Sequence, residues 1–400
     1  MITHVVVVPT QQRTIRQFRR GLRRSARRSR KAKATMSTTS TAALRLDEDR
    51  KLFDDTKLGV KGLYDSGVSK LPSFLTHARK SSADGVDLAI PTVDLGAVVG
   101  GGGGDLRRRV VEGVRSACEG WGLFQVVNHG IPEGVLEEMI GGVRRFHESE
   151  SRRDLYSRDK RRKVMYFSNF TLFNIAAADW RDTLICEMAP SPPEPQELPE
   201  LCRDIVIEFS KRVHDLGFTL LELLSEALDL KPNHLKDMHC GEGLVLLCQY
   251  YPPCPEPEQA MACNTHNDGD FLTILLQDQL GGLQFRHEDQ WVNVLPQKGA
   301  LLVNIGDIMQ LISNDKFKSA SHRVLAKAAG PRVSIASFFR TNFGIEQATK
   351  LYGPIEELVS EENPPLYRET TAPGYLSSYH AKVCQENRLD AISPLASFRL

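Results

Sequence analysis

Between residues 244 and 339 the chain breaks into a series of short runs rich in β-branched, aromatic and leucine residues. They are Leu244–Tyr251, Phe271–Gln277, Leu283–Phe285, Trp291–Val294, Ala300–Ile305, His322–Leu325 and Val333–Phe339. Gly281-Gly282, Asp289-Gln290, Lys298-Gly299 and Gly330-Pro331 punctuate them. Many short strands at near-regular spacing, each closed by a turn signal, predict a sandwich or a barrel. A jelly roll is the natural form, and the mouth of such a barrel can hold a metal.

The front half has a different period. Apolar residues Leu106, Val110, Val114, Ala117 and Cys118 recur at helical spacing over Asp105–Glu119, with Asp105 as the expected N-cap. Pro132–Phe146 reads as a second amphipathic helix, and Ile205–Leu228 as the longest one, stopped by Asp229-Leu230-Lys231-Pro232. Ile90–Leu95 and Leu123–Val127 read as short strands. Gly100–Gly104 lacks both the Gly-Lys-Ser/Thr ending and the Gly-x-Gly-x-x-Gly spacing of phosphate loops, so a surface loop is the better reading. The expected class is mainly β with α: a double-stranded β-helix (jelly-roll) core wrapped by an α-rich N-terminal region. The expected divisions are a basic head (1–35), an arm (36–89), an α/β N-terminal region (90–200), a jelly-roll core with its preceding long helix (201–345) and a C-terminal segment (346–400).

Charge separates the head from the rest. Residues 1–35 hold nine Arg and two Lys and no acid, which leaves 40 basic against 50 acidic residues in the body. A body of that sign argues against nucleic acid as its substrate. The Arg- and Ser-rich head fits an organelle transit peptide. Met36, which opens a Ser/Thr-rich run, is the alternative start. On that start the protein is cytoplasmic; on a true transit peptide it goes to plastid or mitochondrion. Ile2–Pro9 is too short to span a bilayer, and no other apolar run is long enough. The eight Cys form no Cys-x-x-Cys pair, so free thiols in a reducing compartment are expected rather than a zinc ribbon. A monomer with a small-molecule substrate is expected.

The chemistry lies in three places. His266-Asn267-Asp268 stands at the start of a strand-like run, where residues i and i+2 share a face, so imidazole and carboxylate should lie side by side. Alone, a His-x-Asp pair is common by chance. His322 opens another β-rich run 54 residues after Asp268, a separation that suits return of a jelly roll to the same point. Two His and one carboxylate on one face, with the opposite positions open, is the ligand set of non-haem Fe(II) oxygenases. Ten residues further, Arg332-Val333-Ser334 puts a guanidinium and a hydroxyl on one strand face, a clamp for a buried carboxylate. The following residues Ile335, Ala336, Phe338 and Phe339 are apolar, so Arg332 is buried and needs an anionic partner.

With these residues stand Trp121-Gly122-Leu123-Phe124-Gln125-Val126-Val127-Asn128-His129-Gly130, Tyr250-Tyr251-Pro252-Pro253-Cys254-Pro255 and Asn304-Ile305-Gly306-Asp307. From about Ile90 to Tyr367 the chain therefore resembles the plant 2-oxoglutarate/Fe(II)-dependent dioxygenase superfamily. The arm Phe53–Leu63 and Leu351-Tyr352-Gly353-Pro354-Ile355 resemble a narrower group, the 1-aminocyclopropane-1-carboxylate oxidase homologues. The resemblance implies Fe(II) on His266, Asp268 and His322. It implies 2-oxoglutarate as co-substrate with O2, its distal carboxylate held by Arg332, Ser334 and Tyr251, and ascorbate as reductant. It implies oxidation of a small specialised metabolite with release of succinate and CO2. The family usually has Asn two residues before that Tyr, where this chain has Gln249. Phe339 is either a pocket residue or plain core.

Two rivals remain open on sequence. An ascorbate-dependent, ethylene-forming oxidase shares the same ligands and the Arg-x-Ser pair, although the arm favours the homologue group. A non-catalytic ligand sensor has no need to keep all three metal ligands.

Overall fold

The computed structural model describes residues 38–77, 85–101, 103–342, 348–385 and 393–400. The basic head and the alternative start at Met36 lie outside them. Eight strands build the centre: β5 (Gly243–Tyr251), β6 (Met261–His266), β7 (Leu272–Gln277), β8 (Leu283–His287), β9 (Gln290–Asn293), β10 (Leu301–Ile305), β11 (His322–Leu325) and β12 (Arg332–Arg340). Strands β5, β7, β10 and β12 go to one sheet, while β6, β8, β9 and β11 form the other, in the order β6-β11-β8-β9. The chain crosses repeatedly between two antiparallel sheets and closes them over one cavity, which is the expected jelly roll.

The front half contributes more strand than its sequence predicted. β1 (Thr92–Asp94), β2 (Leu123–Val127), β3 (Val164–Phe167) and β4 (Asp182–Ala189) widen the first sheet to the order β1-β2-β10-β7-β12-β5-β4-β3. β3 and β4 were not predicted. β3 is a four-residue, fully buried run without alternation, and such runs carry no period to read.

Helices cover the outer face of this sheet. α3 (Gly104–Gly120), α4 (Glu133–Glu148) and α5 (Arg203–Ala227) follow α1 (Thr38–Asp55) and α2 (Gly59–Asp65) of the arm. On α5, Val206, Phe209, Val213, Leu216, Leu220 and Leu224 recur every three or four residues and are buried. Each such side chain contributes roughly 1.5–3 kcal/mol by leaving water. Gly217 lets the helix lie directly on β12, since a Cβ there would meet the Phe339 ring at 2.0 Å. The N-cap of α3 is Gly103, not Asp105; Asp105 sits in the first turn, where its charge still suits the helix N-terminus.

One acid of the sheet helps to fasten the arm. Asp182 of β4 accepts hydrogen bonds from the backbone N–H of Val60 and Lys61, both at 2.9 Å. Gly59 (φ +66°) makes the approach possible, because a Cβ there would lie 2.2 Å from the carboxylate. Phe53, Val60, Leu63 and Phe74 pack with Trp180 in a second apolar cluster. The segment before β4 then closes the cavity's side: Trp180 N–H donates to the Met261 carbonyl (2.7 Å), and Asp179 accepts from Asn264 N–H (3.1 Å). α6 (Asp307–Ile312) follows β10, and α7 (Ala372–Gln385) comes after β12 and covers the mouth of the barrel. No helix among the described residues is long and apolar enough to cross a membrane.

Candidate active site

His322, the first residue of β11, pairs in register with His266. His266 is the last residue of β6 rather than the first of a strand, and Asp268 stands in the loop that follows. The side-by-side placement expected from strand period is thus produced by a strand end and a turn. One ligand atom from each of His266, Asp268 and His322 lies within 4.8 Å of the others. Asp268 Oδ1 is 3.7 Å from the Nε2 of both imidazoles.

Each of these groups is oriented by a further bond. His266 Nδ1 donates to the Asn264 carbonyl (2.8 Å) and His322 Nδ1 to that of Ala320 (3.2 Å), so both Nε2 atoms face the centre as acceptors. Burial, with His266 alongside, pushes the His322 imidazole down to about 4, which keeps it neutral and able to bind a metal. The other oxygen of Asp268, Oδ2, takes hydrogen bonds from Thr273 Oγ1 (2.7 Å) and from the Asn304 amide. Asn304-Ile305-Gly306-Asp307 braces the loop. Gly306 has no room for a Cβ, which would lie 1.9 Å from the Asp270 carbonyl, and Asp307 N–H donates to the Asp268 carbonyl (2.7 Å). Asp307 is anchored in turn by Tyr375 of α7 and by Ser393, each at 2.7 Å.

The same cavity runs inward to Arg332, Ser334 and Tyr251. Arg332 is 3% exposed. Its guanidinium donates to the Gly281 carbonyl (3.0 Å), Ser334 Oγ (2.9 Å) and Gln277 Oε1 (2.9 Å), and lies 5.0 Å over the Tyr251 ring. None of these partners carries a charge. Gln249 Oε1 accepts from the Tyr251 hydroxyl and from Ser334 Oγ (3.4 Å), so Gln249 joins the two hydroxyls. Sequence reasoning left Gln249 without a role, singled out Asn304 only as part of a motif without a role, and did not find Thr273 or Gln277.

A chamber of about 370 Å³ opens on the outer side of His266 and Asp268. Phe167, Phe170, Phe338 and Tyr379 give it aromatic walls, and Arg181, Asp270 and Arg340 give it charge. Arg181 donates to Cys263 Sγ (3.0 Å) and pairs with Asp179 (3.3 Å). Burial raises the Cys263 thiol to about 12, so it stays protonated. Burial also lifts the Asp270 carboxyl to about 6, against the pull of Arg340. Phe339 does not line this chamber. Arg332, Ser334, Ala336, Phe338 and Arg340 share the inner face of β12, whereas Phe339 is fully buried on the opposite face against α5. The pocket residue is Phe338, one position earlier.

Known proteins match this chain along most of its length. The 2OG-Fe(II) oxygenase superfamily model matches residues 242–341, and the model of the non-haem dioxygenase in morphine synthesis N-terminal region matches residues 90–205. 1-Aminocyclopropane-1-carboxylate oxidase homolog 1 of Arabidopsis thaliana is 51% identical over 86% of this chain and 96% of its own. Deacetoxyvindoline 4-hydroxylase of Catharanthus roseus is 47% identical over 88% of each. The crystal structure of JOX2 in complex with 2OG, Fe and JA superposes with a TM-score of 0.72 at 30% identity, covering 86% of this chain and 97% of that one. The dioxygenase for auxin oxidation in rice superposes with a TM-score of 0.62 at 26% identity, covering 78% and 100%.

Proposed function

The chain belongs to the 2OG-Fe(II) oxygenase superfamily, among the 1-aminocyclopropane-1-carboxylate oxidase homologues, and on that premise we propose how its own residues divide the work. It is a 2-oxoglutarate- and Fe(II)-dependent oxygenase. In our reading His266 Nε2, Asp268 Oδ1 and His322 Nε2 hold the iron. Two imidazoles and one carboxylate, gathered on one side, suit Fe(II) and leave the opposite positions free. Arg332 and Ser334, with Tyr251, hold the distal carboxylate of 2-oxoglutarate. The observation that carries this is a buried guanidinium with only neutral partners, at the inner end of the cavity that begins at the three ligands.

Bound there, Fe(II) with 2-oxoglutarate supplies the activation of O2, with release of succinate and CO2 and oxidation of the substrate. The protein's part is positional. Asn304 and Thr273 fix which oxygen of Asp268 faces inward. The Phe285 ring lies on His322, 5.0 Å away, and keeps that side of the imidazole dry.

The substrate, in our reading, is a small specialised metabolite of plants. A mostly apolar chamber of about 370 Å³ with a few polar groups suits a molecule of that size. Ascorbate serves to keep the iron ferrous. A cytoplasmic monomer completes the proposal; the buried free cysteines at 118, 186, 202, 240, 248, 254 and 263 support a reducing compartment. The five sequence divisions stand as part of the same proposal.

The test is incubation of the full chain with Fe(II), ascorbate, 2-oxoglutarate and fractionated plant metabolites under air. One fraction should raise succinate formation and yield a product of changed mass. Ethylene from 1-aminocyclopropane-1-carboxylate with ascorbate alone, and no succinate with any fraction, would favour the oxidase reading instead.

A further inference from the structure

Two polar side chains on the inner face of the large sheet have bonding capacity that the site described above does not use. Thr183 of β4 and Gln249 of β5 stand directly opposite each other in the antiparallel register. Directly opposed residues carry their Cβ atoms about 5 Å apart on one face, so the two side chains can reach one point. Both line the chamber. Gln249 also lines the inner cavity, with His266, Asp268 and Arg332. The pair therefore stands where the chamber and the inner cavity meet, on the side of the metal ligands.

The direction of the Gln249 amide follows from the bonds behind it. A guanidinium can only donate, and Arg332 donates to Ser334 Oγ (2.9 Å). The proton of Ser334 then goes to Gln249 Oε1 (3.4 Å), which also accepts from the Tyr251 hydroxyl. The amide oxygen thus faces the co-substrate end, and the amide nitrogen, with two N–H donors, faces away from it. Gln249 is buried, yet Nε2 meets no acceptor among the described residues and is not sealed off. The same holds for Thr183, which is 3% exposed: its Oγ1 has no partner among the described residues and keeps surface open. Around them the chamber wall is apolar, with Phe167, Ile185, Leu247 and Phe338. A valine would serve the fold as well at position 183. Buried polar groups are ordinarily met by a partner, and two unmet ones side by side in an apolar chamber are placed to receive it from a ligand.

We propose that Thr183 and Gln249 are substrate-recognition residues, and that the substrate presents a neutral carbonyl oxygen to the Gln249 N–H and the Thr183 O–H. The inference rests on the oxygenase reading and narrows its substrate class to molecules with a ketone, ester, lactone or amide group. A carbonyl oxygen has two lone pairs and matches two donors. Both donors are uncharged, and Arg181 of the same chamber is already paired with Asp179 at 3.3 Å, so a neutral acceptor is favoured over a carboxylate. Held by this oxygen, the substrate turns a neighbouring carbon toward the three metal ligands.

The test uses three bicyclic probes of similar size: 1-tetralone; 1-methylenetetralin, in which CH2 replaces the carbonyl oxygen; and tetralin-1-carboxylate. Their dissociation constants are measured by ligand-observed NMR on the full chain without metal, and again on the chain loaded with Mn(II) and 2-oxoglutarate. In the loaded chain the bound tetralone protons should relax faster than in the metal-free chain, because the probe lies in the chamber beside the metal. Tetralone should bind about three- to tenfold more tightly than the methylene probe, the range for one or two neutral hydrogen bonds. Thr183→Val keeps the shape without the hydroxyl and should lower this preference to about twofold, and Gln249→Leu added to it should erase the preference. Equal binding of tetralone and the methylene probe overturns the inference, as does an undiminished preference in Thr183→Val or no relaxation enhancement in a chain that holds Mn(II). Tightest binding of the carboxylate also overturns it and transfers recognition to Arg181. Failure of the chain to retain Mn(II) would count against the metal reading alone, because the metal-free titrations still decide the role of Thr183 and Gln249.

Discussion

On the floor of the cavity, His266 and His322 stand on the paired strands β6 and β11 of one sheet, and Arg332 and Ser334 face the same cavity from β12 of the other. Every one of their polar atoms that faces inward is oriented by a second bond to the protein. The chamber above is assembled from separate segments: Phe167 and Phe170 from the N-terminal region, Asp270 from the metal loop, Phe338 and Arg340 from the end of β12, and Tyr379 from α7. Its aromatic groups are held by packing, Arg181 and Arg340 by ion pairs with Asp179 and Glu187, and one group, Asp270, has an oxygen held by no hydrogen bond. A floor fixed by strand register tolerates little change. A wall drawn from loops and helix ends can be altered residue by residue without disturbing the floor, which is how one fold can serve many substrates.

If that contrast is right, substitutions should lose force from floor to wall. His266→Ala should abolish Fe(II) binding and turnover while the circular dichroism spectrum stays native, since removal of one of three protein ligands opens the site. Full turnover with His266 and Asp268 both replaced by Ala would break the comparison at its strongest point. Arg332→Ala should weaken 2-oxoglutarate by roughly 10- to 200-fold, with Fe(II) affinity nearly unchanged. Arg332→Lys should recover only part of this, because an ammonium lacks the planar fork.

Asn304→Ala tests whether the supports of the floor matter as much as the ligands' own placement. It removes one of two donors to Asp268 Oδ2, and should cost about 10- to 100-fold in Fe(II) affinity, read by competition with a chelator. An effect below threefold would mean that the metal loop is rigid without it. The smallest effect on the floor is expected from the two phenylalanines of β12. Phe339→Ala should lower stability by about 3–5 kcal/mol through the cavity left on α5, with metal and co-substrate affinity intact. Phe338→Ala should alter substrate binding with a much smaller loss of stability. Reversal of these two phenotypes would contradict the assigned faces of β12.

The same division governs what could be read in the sequence. The jelly roll was legible because its strands are short, β-rich and punctuated by turn residues, and His322 and Arg332-Val333-Ser334 lie where strand period places them. His266 and Asp268 were found as a pair through a reason that does not hold in detail: the pair straddles a strand end, and the loop's shape depends on Gly306 and Asn304, some 36 residues away. β3 was missed because a buried strand without alternation carries no period, whereas β4 does alternate over Leu184–Met188 and could have been read. Phe338 was missed by one position. Both neighbours are apolar, and only the count from Arg332 along one face separates pocket from core. Asp270 and Arg181 gave no signal, since the chamber that gives them meaning joins segments that are distant in the chain.

The central claim is that one cavity holds Fe(II) at one end and a dicarboxylate at the other, and it is tested most directly by adding 2-oxoglutarate to the Fe(II)-loaded full chain without O2. The wild type should develop a visible metal-to-ligand absorption band that saturates with one equivalent of 2-oxoglutarate. Arg332→Ala should develop the same band only at concentrations roughly 10- to 200-fold higher. A wild type with no band, or a band whose concentration dependence is identical in Arg332→Ala, would contradict the account.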